Sequence, residues 1–228
     1  LRSACDRARG PEDALQALEA AAPLAQRLQV SASGEVLRLL EQLADRLTAS
    51  MGRLPPSCIL AALRACAVAG LPHAPLFAAA TSRLDNGVGA LPLVEAFEAC
   101  AALRLNIPEL QTWFDGLIAE GLERRLPSAG LARLLAATAR LALLDAQAVD
   151  RLLQRLITVA SPIRPLPLHS VATLCHGLYL ARRLPGGAEL WQLSSWLARA
   201  EGAPPAPPQE AALQRFALAL LVDPERGP

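Results

Sequence analysis

Apolar residues recur along this chain at intervals of three and four, in short blocks punctuated by proline, glycine and Asp/Asn, and no alternating run of useful length interrupts them. That period is the helical one, so the pattern predicts an all-α protein. Four blocks open on the same Leu-Pro step, at Leu54-Pro55, Leu91-Pro92, Leu126-Pro127 and Leu166-Pro167, with spacings of 37, 35 and 40 residues. Proline lacks a backbone donor and presets φ, so it sacrifices no hydrogen bond at a first helical position. Each step therefore predicts a helix start, and a recurring start predicts a repeat.

Large apolar residues in the middle of each opening helix give the register: Leu63, Phe97, Leu135, Leu174 and a fifth, Leu213. Successive anchors are 34, 38, 39 and 39 residues apart, which sets the period near 37 or 38. Cys66, Cys100, Thr138 and Gly177 fall three positions after their anchors, and small residues there predict close helix contact. A second helix follows in each unit, with Leu110, Trp113, Phe114, Leu117 and Ile118 in one copy and Val149, Leu152, Leu153, Leu156 and Ile157 in the next. Gly70 with Pro72, Asn106 with Pro108, Leu144-Asp145 and Pro185-Gly186-Gly187 mark the breaks between the two helices, while Ser57 and Asp145 suit capping positions.

The expectation is an α-solenoid of about five two-helix repeats of 37–38 residues. Residues 1–53 form an irregular N-terminal helical cap in which Pro23 interrupts the first helix. The repeats then run 54–90, 91–125, 126–165, 166–206 and, as a partial copy, 207–222, with a tail at 223–228. The longest uncharged stretch, Ala65 to Ser82, contains Gly70, Pro72 and Pro75 and lacks a continuous apolar run, which argues against membrane insertion.

All 22 basic residues are arginine, as a GC-rich coding bias produces, and the net charge is only +1. Its distribution is uneven. Residues 124–199 hold ten arginines against Asp145, Asp150 and Glu189, a surplus of seven, whereas residues 1–123 are negative by four. Arg124, Arg125, Arg133, Arg140, Arg151, Arg155, Arg182 and Arg183 form the candidate phosphate-binding set, because guanidinium forks match phosphate oxygens bidentately. The competing explanation is a solvated face with arginines capping helix carbonyls.

Catalytic chemistry finds little to stand on. The five cysteines include no C-x-x-C pair and mostly sit on apolar helix faces, which suits a reducing compartment. His169 and His176, two turns apart with Cys175 adjacent, lack a further metal ligand, and His73 is isolated. No Gly-rich phosphate loop, G-x-S-x-G or H-E-x-x-H occurs, so no enzyme, cofactor, metal or small-molecule substrate is expected. Aromatics are few: Trp113 and Phe114 read as core, and Trp191 as a protein-interface anchor.

With first helices such as LAALRACAVAGL and VEAFEACAALRL at this period, roughly residues 54–222 resemble the octotricopeptide and heptatricopeptide repeats of the RAP and FAST-kinase-like organellar proteins, without a RAP domain in this chain. The resemblance implies a scaffold that binds organellar RNA, rRNA included, or an accessory subunit of the mitochondrial ribosome among neighbouring proteins. It implies a mitochondrial location, with the chloroplast as alternative. The rival expectation is a protein–protein adaptor of another large organellar complex that touches no nucleic acid.

Overall fold

The computed structural model describes residues 10–28, 34–84, 89–105, 107–159 and 168–180, with Ser195 and Gln214 as isolated positions. Among them the chain is all helical, without a strand. Nine α-helices follow in order: α1 (Pro11–Leu28), α2 (Gly34–Ala49), α3 (Pro56–Ala69), α4 (Ala74–Arg83), α5 (Ala90–Leu103), α6 (Pro108–Ala119), α7 (Ser128–Arg140), α8 (Ala146–Val159) and α9 (Leu168–Leu180). Short 3₁₀ turns at Met51–Arg53 and Leu122–Arg125 precede α3 and α7. The expected fifth anchor, Leu213, the Leu166-Pro167 step and the Pro185-Gly186-Gly187 break lie outside the described residues.

The chain divides into two compact units, Leu1–Leu117 and Ile118–Pro228. In the first, α1 packs on α3 and α3 on α5, while α2 packs on α4, so alternate helices form two rows. In the second, α7 packs on both α8 and α9. The anchors occupy the same environment in each helix: Leu63, Phe97, Leu135 and Leu174 are at most 1% exposed. Burying each Leu side chain contributes on the order of 1.5–3 kcal/mol, so the anchors hold the rows together. Phe97 stacks on Trp113 with ring centroids 4.9 Å apart and meets Phe114 edge-on at 6.1 Å; Phe97 and Phe114 are core, whereas Trp113 is half-buried beside them.

The small residues after the anchors mark close packing. Cys66, Cys100 and Thr138 are fully buried, and a Cβ on Gly177 would stand 2.9 Å from Ala136 Cα and 3.0 Å from its backbone nitrogen. Thr138 satisfies its hydroxyl by donating to the Leu134 carbonyl at 2.7 Å.

The same backbone at positions 66, 100 and 138 also ends each first helix. Leu71 N–H donates to the Cys66 carbonyl, Leu105 N–H to that of Cys100 and Leu143 N–H to that of Thr138, at 2.9, 3.0 and 3.0 Å. Between them Gly70, Arg104 and Ala142 adopt left-handed φ of 67°, 52° and 56°. This is one Schellman cap made three times, seven residues after each anchor. Four residues after the left-handed residue the second helix begins, at Ala74, Pro108 and Ala146.

Three sequence expectations need correction. The step prolines do not occupy the first helical position: Pro55 and Pro127 are N-caps with extended ψ, and Pro92 lies inside the first turn of α5. All three stay within the zone of unpaired donors, where a missing N–H costs nothing. Ser57 is inside α3, whose cap residue is Pro55, so it is not the cap. Pro23 does not interrupt α1, which continues through it to Leu28. Pro23 and Glu19 are both exposed, so water can take the Glu19 carbonyl that the ring leaves without a donor.

Candidate nucleic-acid interface

The arginine-rich region is built on a turn and three helices of the second unit. Gly121, at φ 64°, reverses the chain after α6, and its carbonyl accepts from Arg124 N–H at 2.9 Å to start the Leu122–Arg125 turn. Arg124 and Arg125 are exposed on that turn. On α8, whose N-terminus is capped by Asp145 Oδ1 accepting from Ala148 N–H, Arg151 is exposed and Arg155 is half-buried. Arg155 Nη2 donates to the Arg124 carbonyl at 3.0 Å. That bond brings Arg124, Arg125, Arg155 and, one helical turn or about 6 Å from Arg155, Arg151 into one neighbourhood.

Arg155 has an equivalent that explains its role. Arg83 Nη2 donates to the Gly52 carbonyl at 3.3 Å, and both pairs join the residue twenty after an anchor to the one eleven before it. Each arginine fastens a second helix to the 3₁₀ turn that precedes the first helix of its hairpin. Arg155 thus positions the turn, and its guanidinium already serves a carbonyl. Its Nε is buried without an acceptor among the described residues.

The remaining candidates lie elsewhere. Arg133 is half-buried on α7. Arg140, exposed at the end of α7, donates from Nη2 to His176 Nδ1 on α9 at 3.2 Å. Partial burial, and then the Arg140 charge, push His176 below its ordinary value of 6.5, which favours the neutral acceptor. Arg182, Arg183 and Trp191 lie outside the described residues. Neither α7 nor α9 contains an acidic residue, and Asp145 and Asp150 belong to the N-terminal end of α8.

The other chemistry-bearing side chains are structural. Burial pushes the thiols of Cys66, Cys100 and Cys175 up to about 12, so they remain protonated and unreactive, whereas Cys58 is half-buried. All four are free. No group of three metal-ligating side chains occurs among the described residues. Among these residues no helix is long and apolar enough to cross a membrane.

His73, isolated in sequence, is fully employed. Its Nδ1 accepts from Leu76 N–H at 3.2 Å, capping α4, and its Nε2 lies 3.0 Å from Asp45 Oδ1 on α2. It occupies the same position as Asp145, ten residues after an anchor, and reaches the N–H three residues on, as Asp145 does. The signal was the shared offset from Leu63 and Leu135, hidden because histidine is an uncommon cap.

No protein-family model matches this sequence, and no curated protein matches it.

Proposed function

We propose that the chain is an α-solenoid of about five two-helix repeats acting as a non-catalytic scaffold in an organellar RNA–protein assembly. Three observations support the repeat: the row packing of alternate helices, the thrice-made cap, and the twice-made arginine fastening. The arrangement at the Leu122–Arg125 turn carries the RNA reading. Arg155 holds that turn from behind, while Arg124, Arg125 and Arg151 present exposed guanidinium groups beside it. Such a group can track a phosphate backbone and carries no base-reading element, which suits a structural contact to rRNA better than sequence-specific capture. The mitochondrial location, with the chloroplast as alternative, rests on the resemblance to octotricopeptide and heptatricopeptide repeats.

The test is titration of the protein with single-stranded RNA at graded salt. Affinity should fall with salt, and the slope of log K against log salt should flatten by about 0.7 for each phosphate-contacting arginine removed. Arg125→Gln combined with Arg151→Gln should therefore flatten it by about 1.4 with helicity unchanged. Absence of binding at low salt, or an unaltered slope, overturns the reading. It would leave the protein–protein adaptor, for which the exposed Leu24, Leu37, Val68 and Leu91 of the first unit speak.

A further inference from the structure

Two potential cations from different helices meet where α7 packs on α9. Arg140 Nη2 stands 3.2 Å from His176 Nδ1. At neutral pH the contact is satisfied, with the guanidinium donating and the imidazole lone pair accepting, so the imidazole proton sits on Nε2. Protonation of Nδ1 turns the acceptor into a second donor. Two positive donors then face each other in a solvent-facing contact, and an acceptor carrying negative charge can bridge them.

The protein supplies none on these helices. The other ionisable residue of α7 is Arg133, and those of α9 are His169, Cys175 and Tyr179, so neither helix offers a carboxylate. On α8, which packs on the other helix of the pair, α7, the charged groups are Asp150, Arg151 and Arg155, with Asp145 capping its start. Asp145 is tied to Ala148 N–H.

We propose that Arg140 and His176 form a proton-gated binding pair for a phosphodiester group, closed on itself when His176 is neutral and open to one phosphate when His176 is charged. The singly charged diester accepts one hydrogen bond from each donor, and no covalent step is involved. This deepens the RNA reading above and rests on it for the source of the phosphate. Linkage fixes the sign. His176 is held below 6.5 in the free protein, so at pH 7.5 the pair carries only the Arg140 charge, and it acquires a second only as pH falls toward the lowered His176 value. A ligand that prefers the charged form must raise the His176 titration point and must bind more tightly in acid.

The experiment is a two-dimensional NMR titration of the imidazole resonances in the full chain, alone, with a single-stranded oligouridylate, and with sulfate against chloride at equal ionic strength. Sulfate keeps its charge across the range and probes the pair apart from RNA. The His176 midpoint should rise with the oligonucleotide, and RNA affinity should increase between pH 7.5 and pH 5.5 by roughly three- to tenfold more than in His176→Gln. Arg140→Gln should raise the midpoint of the free protein and abolish the RNA-induced rise. RNA that binds without moving the His176 midpoint, or a His176→Gln variant that keeps the full acid enhancement, overturns the proposal. If RNA fails to bind at any pH, the scaffold's RNA reading falls, and the sulfate arm still decides the pair: a midpoint raised by sulfate but not chloride upholds it as an oxyanion site, and an unmoved midpoint ends it.

Discussion

Single side chains hold the hairpins together through bonds that span wide gaps in sequence. His73 reaches Asp45 across 28 residues, Arg83 and Arg155 reach their carbonyls across 31, and Arg140 reaches His176 across 36. Composition identified the arginines as candidate phosphate ligands, but no local pattern could distinguish the exposed Arg151 from Arg155, one turn away and engaged with a main-chain carbonyl. At His73 the cap is the testable feature. His73→Ala should lower stability by about 1 kcal/mol in urea unfolding, and His73→Asn, which keeps a side-chain acceptor for Leu76 N–H, should recover most of it. Gly177 makes the opposite demand, for emptiness. A methyl there would meet the Ala136 backbone rather than a flexible side chain, so Gly177→Ala should destabilise by roughly 1–3 kcal/mol. A stability equal to wild type would show that α7 and α9 can separate at little cost.

At the level of helices, the local chemistry was readable where one residue sets the boundary and unreadable where the main chain does. Asp145 announced the start of α8. Gly70 likewise announced the end of α3, but nothing in Arg104 or Ala142 advertises the left-handed turn that each of them makes. A side chain with a Cβ in that region carries a penalty of about 1 kcal/mol that glycine avoids. Arg104→Gly and Ala142→Gly should therefore each stabilise by about 0.5–1 kcal/mol, reduced by the greater freedom glycine gives the unfolded chain. Thermal melts of the two variants check this. A loss of stability would mean that the cap geometry is supported by contacts of the arginine or alanine side chain. The Leu-Pro steps were informative about place and off by a residue or two about position, since proline is indifferent to which donor-free site of the first turn it fills.

For the protein as a whole, titration brackets the range in which the packing is fully stable. His176 is depressed below 6.5, so its contribution is complete above that value and is lost as pH falls toward its folded titration point. The thiols of Cys66, Cys100 and Cys175 are raised from 9.0 to about 12, so theirs is complete below 9.0 and is lost as pH climbs toward 12. Urea midpoints measured from pH 5 to pH 11 should form a plateau with falling flanks, the acid flank shallower in His176→Gln and the alkaline one in Cys100→Ala relative to its own plateau. Helical class and anchor register were legible because burial of Leu63, Phe97, Leu135 and Leu174 requires a fixed period. The division into units was not, because it depends on which helices touch and not on how each is made.

From anchor to second helix the distance is eleven residues in all three hairpins whose joint is described, although the anchors themselves are 34 and 38 apart. All the drift in length has gone into the return strokes. A joint enforced by carbonyls and one torsion angle constrains side-chain identity by only about 1 kcal/mol, so glycine, arginine and alanine can each occupy it. Letters at such a joint can turn over freely in descent while its shape persists. Kinship would then survive as a recurring bend of the backbone long after spelling had ceased to show it.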